Sequence, residues 1–337
     1  MNLLGHIRFV VAVGILGILA VLANPLESWA QTTGKVHRVG FLFVGKPPPP
    51  NASPPDWSKA SPPMTAFMNQ LAKDGYVQGK NLAIESRIGE YEQLAGFAAE
   101  LVRLKVDAIF AVGTRVGRIA QDTVKTTPLV IYSCDPFEHV TRLARPDSNV
   151  TGTTCMTTEL SPKRLELLKE LLPKSSRVVF FGDPEDAPLG WTLTRDAAPK
   201  LGIKLSIVGY KDRDGIPDAL NAVAKQRPHA VFVYPDAILV SERQQLADFA
   251  LSHGLPTMHA FPEFADAGGL ISYGASPVEQ FPTLAGQVAK ILGGARPGDV
   301  PVQRATRFHL VINMKTAKAL GIKVPKSLLL RADRVIE

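Results

Sequence analysis

With 337 residues, 45% of them hydrophobic and 20% charged, the chain has enough apolar content for two globular domains, which excludes a disordered chain. Its formal net charge is +7, from lysines and arginines spread over many amphipathic segments. Nucleic-acid binding wants basic residues gathered on one face with aromatics between them, and no such cluster is present.

Met1 to Arg8 holds one arginine and no acid, and Phe9 to Ala23 is an unbroken apolar and glycine run. Ser28-Trp29-Ala30 before Gln31 fits a small-x-small cleavage site. The pattern predicts a secretory signal peptide over residues 1–30, cleaved near Ala30, and a mature protein in the periplasm. An uncleaved membrane anchor is the rival, but a span wants ~20 apolar residues. Cleavage removes Arg8 and Glu27 together, so the mature chain keeps its charge.

Val36 to Val44 ends in an apolar run without alternation, the mark of a buried parallel strand. A proline-rich loop runs to Pro63, and Met64 to Lys73 reads as a helix stopped by Asp74-Gly75. Leu82 to Ser86 is a strand and Tyr91 to Leu104 a helix with Leu94, Phe97, Ala98, Leu101 and Val102 on one stripe. Val106 to Val112, Val116 to Val124 and Pro128 to Tyr132 add strand, helix and strand. A polar loop follows from Ser133, then a short basic helix, the turn Pro146 to Asn149 and the β-prone Val150 to Thr154. This stretch reads as a pocket wall and as a crossing between two lobes.

The alternation then restarts. Ser161-Pro162 opens a helix through Leu172, with Ser161 expected at its N-cap. Strands are expected at Val178–Phe181, Lys204–Val208, Ala230–Tyr234 and Thr257–Ala260. Helices are expected at Leu189–Leu201, Ile216–Lys225 and Val240–Ser252. A glycine-bracketed strand up to Gly274, a helix Val278–Leu292, a strand Phe308–Asn313 and a helix Lys315–Leu320 close the chain. The fold class is α/β: two doubly wound parallel-sheet lobes joined by a hinge of several crossings. The N-terminal lobe is expected to comprise 36–153 plus 274–305, and the C-terminal lobe 154–273 plus 306–337.

Gly40 to Lys46 imitates the start of a phosphate-binding loop, but Pro47 stands where a metal-binding hydroxyl is needed. No G-x-G-x-x-G, G-x-S-x-G or H-E-x-x-H is present, and Cys and His have no zinc spacing. No metal, cofactor or catalytic residue is expected. Cys134 and Cys155 are expected as buried free thiols, although an oxidising compartment permits a bridge between them. The candidate ligand contacts share one position, just after parallel strands, where open α/β sheets bind ligands. They are Gly113, Thr114, Ser133, Asp135, Asp183, Asp236 and His259. Thr114 and Ser133 precede helices whose amides suit a carboxylate, and Asp135 suits a ligand ammonium. Asp135 and Asp183 each precede a proline, so cap or turn roles compete with binding.

Several local runs carry a resemblance. They include Gly75-Tyr76-Val77-Gln78-Gly79-Lys80-Asn81, Glu100 to Asp107, Asp135-Pro136, and Arg145-Pro146 with Asn149-Val150-Thr151-Gly152. They continue with Lys163 to Leu168, Gly268 to Gly274, Leu310-Val311-Ile312-Asn313 with Lys315-Thr316-Ala317, and Arg331-Ala332-Asp333. In this order, from Val36 to Glu337, the chain resembles the solute-binding proteins of ABC importers. It is most similar to the branch that binds tryptophan or phenylalanine. The resemblance implies a type I periplasmic binding fold with three hinge crossings, a small-molecule ligand in the cleft and a permease in the inner membrane as partner. It implies a monomer with no enzymatic activity. Departures at Pro47–Pro63, at Phe137-Glu138-His139 and at Asp147-Ser148 bear on ligand identity, the first two at the cleft mouth. A sensory module for a membrane receptor, and an exported enzyme using His259 or Asp135 on the same scaffold, are the alternatives.

Overall fold

The computed structural model describes residues 35–47, 49, 55–134, 143–146, 148–183 and 188–337. The expected signal segment, the short basic helix and Asp135 lie outside the described residues. In the first half, apolar runs form β1 (His37–Val44), β2 (Leu82–Gly89), β3 (Ala108–Val112), β4 (Leu129–Ser133) and β5 (Val150–Thr154). Between them lie α1 (Pro62–Lys73), α2 (Tyr91–Arg103) and α3 (Thr114–Thr123). The second half contributes α4 (Ser161–Leu171), β6 (Arg177–Phe181), α5 (Pro188–Ala197), β7 (Lys204–Val208) and α6 (Ile216–Lys225). It continues with β8 (Ala230–Val233), α7 (Ala237–Ser241), α8 (Arg243–Ser252), β9 (Thr257–His259), α9 (Pro262–Asp266) and β10 (Ile271–Gly274). Last come α10 (Pro277–Leu292), β11 (Gln303–Arg304), β12 (His309–Asn313), α11 (Met314–Ala319), α12 (Lys326–Arg331) and β13 (Arg334–Ile336).

Among the described residues the strands form two sheets. One has the order β11-β5-β4-β3-β1-β2 and the other β13-β12-β10-β9-β8-β6-β7. All pairings are parallel except β10 with β12. The chain therefore passes between the sheets three times: after β5, after β10 and after β11. Each sheet has its own aromatic centre. Phe67 stacks on Phe110 at 4.4 Å in the first, and Phe180 on Phe232 at 5.8 Å in the second.

Helix α10 carries the chain back to the first sheet, and its return is bonded in place. Gln287 Nε2 donates to the Gly152 and Pro301 carbonyls at 2.9 and 3.0 Å, and Thr151 Oγ1 donates to Val300 O at 2.7 Å. Gly152 is required there, since a Cβ would stand 1.9 Å from the Ile131 carbonyl oxygen. A second tie is the fully buried Arg164 on α4. Its Nη2 donates to Thr157 O at 2.6 Å and Ser161 Oγ at 2.9 Å, and its Nη1 reaches the Tyr273 carbonyl at 3.5 Å. Arg164 thereby links the first crossing to the end of β10.

Four local expectations need correction. Ser161 is the first helical residue rather than the cap, and its Oγ donates back to Thr157 O. The expected Leu189–Leu201 helix ends as α5 at Ala197 and tightens into a 3-10 turn at Ala198–Leu201, because Pro199 has no N–H to continue the ladder. The expected Val240–Ser252 helix is two helices broken at Glu242, whose backbone (φ −95°, ψ 14°) is not helical. The five-residue α9 went unforeseen, being too short for a periodic signal. Cys134 and Cys155 are both buried and are not joined in a disulfide.

Candidate binding site

A cavity of about 340 Å³ opens beyond the carboxyl ends of both sets of strands. The first sheet and its helices contribute Phe43 at the end of β1, Gly113 and Thr114 after β3, and Tyr132 and Cys134 at β4. The second contributes Asp183 after β6, Tyr234 to Ala237 after β8, and Phe261, Glu263 and Phe264 after β9. Its walls are strongly aromatic, with Tyr91 and Phe281 adding to Phe43, Tyr132, Tyr234, Phe261 and Phe264. The volume lies in the usual range for small-ligand pockets, ~300–1,000 Å³.

Two helix N-termini face this space and differ in chemistry. α1 begins with Pro62 and Pro63, which have no N–H to offer, so its end is an apolar wall. α3 begins after Gly113, whose φ of +113° suits glycine, and its first amides have no intrahelical acceptor. Thr114 Oγ1 there accepts the Cys134 N–H at 3.0 Å and the Ser133 hydroxyl at 3.4 Å. Arg115 lies with its Cζ 4.1 Å from the Tyr91 ring centroid, a cation–π contact that fixes it at the cavity edge.

Of the sequence-predicted contacts, Gly113, Thr114, Asp183 and Asp236 line the cavity. Asp236 also caps α7, its Oδ1 accepting the Leu239 N–H at 2.8 Å. Ser133 stands behind the wall, where it bonds Thr114. His259 does not line this cavity. Its ring stacks on Phe264 at 4.6 Å, against Gly269, and borders a separate small apolar void. The strand-end rule places His259 by its backbone, but the alternation of β9 turns the side chain to the far side of Phe264. Burial lowers its pKa to about 3, so the ring is neutral, and both ring nitrogens lack hydrogen-bond partners.

Sequence reasoning passed over Tyr132 and Glu263. Tyr132 ends the apolar run of β4, a position that reads as core, and Glu263 rides on the unforeseen α9. Burial holds the Tyr132 phenol well above its ordinary pKa, with the Cys155 and Cys134 thiols and the Glu263 carboxyl adding to the rise. Burial likewise pushes the Glu263 carboxyl up; Asp266 adds to this, while Arg243 and Arg334 oppose it. Among the described residues no group of three or more His, Cys, Asp or Glu could hold a metal ion.

The two sheets also meet beside the cavity. Arg213, after β7, places Nε 3.3 Å from Glu90 Oε1 at the start of α2. Its Nη1 donates to Ser241 Oγ at 2.9 Å and to the Glu242 carboxylate. A Cβ on Gly113 would touch the Cβ of Ala237 at 3.4 Å. Elements of the two sheets thus touch one another beside the cavity.

Residues 63–336 match the family model for ABC transporter substrate binding protein. Among curated proteins none matches the chain. A conserved domain protein from Vibrio cholerae O1 biovar El Tor has the same fold at a TM-score of 0.78 and 24% identity, covering 89% of this chain and 100% of that one. The ABC domain in complex with L-Trp from Streptococcus pneumoniae gives 0.77 at 21% identity, over 90% and 100% of the two chains. The ligand-free, open structure of a substrate-binding protein with adhesive properties from Clostridium difficile gives 0.58 at 22%, over 89% and 99%. The fold is that of the type I periplasmic binding proteins, and with the family model matched over most of its length the chain belongs to the ABC transporter substrate-binding protein family.

Proposed function

We propose that this protein is the periplasmic receptor of an ABC importer, clamping a small solute between its lobes and handing it to an inner-membrane permease. The observation that carries the reading is the cavity itself, walled by both sheets and lined by aromatic rings. Such walls suit an apolar or aromatic body. An L-Trp complex among the similar structures is in keeping with an aromatic amino acid or a related molecule. In this reading residues 1–30 are a leader removed near Ala30 and the receptor works as a monomer. The lobes are 36–153 with 274–305 and 154–273 with 306–337, a division supported by the sheet membership of the strands. Gly113, Thr114, Asp183 and Asp236 are the proposed contacts that face the ligand, with Ser133 setting Thr114 and His259 backing Phe264. The ligand favours the closed arrangement and draws the equilibrium toward it.

A thermal-shift screen of ligand-stripped protein against amino acids, aromatic amines and small organic acids tests the proposal. Ligand at a hundred times its dissociation constant adds ~2.7 kcal/mol of stability. A shift with a small solute supports a receptor, and turnover of that solute would instead support an enzyme. No shift with any of them contradicts the reading.

A further inference from the structure

Part of the cavity wall is built by a segment at which the chain departs from the proteins it resembles. Ser61, Pro62 and Pro63 line the cavity there, together with Phe43. Their backbone is stiff. Each proline fixes its own φ, and Ser61, standing before Pro62, is held extended at φ −164° and ψ 160°. Such a wall is already ordered before a solute arrives.

The segment leading into this wall is fastened at several points. Trp57–Lys59 is a 3-10 turn capped by Asp56, whose Oδ1 accepts the Ser58 N–H at 3.1 Å. Thr65 Oγ1 on α1 donates to Ser58 O at 2.7 Å, and Gln78 Nε2, in the turn before β2, donates to Pro55 O at 3.2 Å. Trp57 is buried, at 6% exposure. Its ring meets Phe41 edge-on at 5.0 Å and Phe43 at 5.6 Å. Phe43 also meets Phe110 edge-on at 5.9 Å. Trp57 does not line the cavity itself. It stands behind Phe43, which is half-buried and does line it. In a close-packed interior, a ring backed in this way has no room to retreat.

We infer that Trp57 sets the size limit of the cavity, wedging Phe43 forward and anchoring Ser61 to Pro63, so that the receptor selects solutes by the bulk of their apolar part. The inference rests on the receptor reading and deepens it. Trp57 acts through Phe43 and the two prolines, so it is a positioning residue. A methylene that fits the cavity strengthens affinity about fourfold. One methylene too many must push Phe43 into Trp57, and misfits of this kind in hydrophobic pockets weaken binding ~10–200-fold.

The test is calorimetric titration of ligand-stripped protein with a ladder of probes that differ by one methylene: L-phenylglycine, L-phenylalanine, L-homophenylalanine and L-2-amino-5-phenylpentanoate. Wild-type affinity is expected to pass through a maximum and to fall tenfold or more at the next methylene. In Trp57→Ala the first probe beyond that maximum should gain tenfold or more relative to the best one. Trp57→Leu should shift the same ratio in the same direction by less, and it carries the test if Trp57→Ala does not fold. Leu328→Ala is the control for destabilisation alone. Leu328 is fully buried on α12, in the core of the other sheet and away from the cavity. Its substitution should lower the melting temperature and leave the ratio within twofold of wild type. Wild-type affinity that never falls along the ladder, or a ratio unchanged within twofold in the Trp57 variants, would overturn the inference and leave the receptor reading standing. So would an equal weakening of every probe, or the same shift in Leu328→Ala. If none of these probes binds wild type, the ladder is rebuilt by single methylenes on the solute found in the screen and judged the same way. If no solute of any class binds wild type, the receptor reading falls and the inference with it.

Discussion

Glu90→Gln isolates the contact that bridges the cleft. Glu90 meets Arg213 at 3.3 Å, with side-chain exposures of 36% and 11%. Arg213 is already held on its own side by Glu242 and Ser241, so its desolvation is borne whether the cleft is open or closed. Coulomb attraction at this separation is ~5 kcal/mol at an effective dielectric of 20. Glu90 is exposed enough that solvent screening reduces this sharply, and measured pairs of its kind give ~0.2–1 kcal/mol. Taking ~1 kcal/mol, the substitution moves the closing equilibrium about fivefold, and apparent affinity falls by the same factor when the empty protein is mainly open. Titration calorimetry at low salt reads this directly, and the difference should shrink toward unity at ~1 M salt. Glu242→Gln is the control. It breaks a pair within one side, so it should lower the melting temperature more than Glu90→Gln and change affinity less. Affinity unchanged within twofold for Glu90→Gln at low salt, or a loss that salt leaves intact, would refute the reasoning.

Other outcomes follow from the same geometry. His259 has its folded-state pKa depressed to about 3 from an unfolded value near 6.5. Its contribution is therefore fully present above pH ~6.5 and is lost as pH falls toward 3, at ~1.4 kcal/mol per unit once well below 6.5. Between pH 7.5 and 5 the wild type should lose about 2 kcal/mol more stability than His259→Leu in urea unfolding, and parallel pH profiles would contradict this. Arg164→Met removes the guanidinium bonds to the Thr157 carbonyl, which keeps only the Ser161 hydroxyl as a donor there, and to Ser161 Oγ. Unfolding free energy should drop by about 3 kcal/mol. Arg164→Lys should rescue little of it, because an ammonium cannot reproduce the planar fork.

The two-lobed architecture was readable because buried parallel strands announce themselves as unbroken apolar runs between amphipathic helices. Lys204–Val208 and Ile216–Lys225 fall where the periodicity puts them. Misplacements arose where tertiary contacts overrode local pattern. The break at Glu242 coincides with its carboxylate meeting Arg213, a partner 29 residues away. At the candidate site, backbone position after a strand was enough to place Gly113, Thr114, Asp183 and Asp236 at the cavity wall. It was not enough for His259, which the alternation of β9 turns against Phe264 and away from the cavity. Tyr132 and Glu263 carry no local mark of a binding role. What brings them to the cavity wall is tertiary packing, which a linear pattern does not express.

Small-angle scattering of ligand-stripped protein, before and after saturation with the solute found in the screen, tests the clamp most directly. A smaller radius of gyration on saturation, with a scattering curve matching the bridged Glu90–Arg213 arrangement, is the predicted result. A saturating ligand that leaves the curve unchanged in an open form, with the two sheets apart, would contradict it.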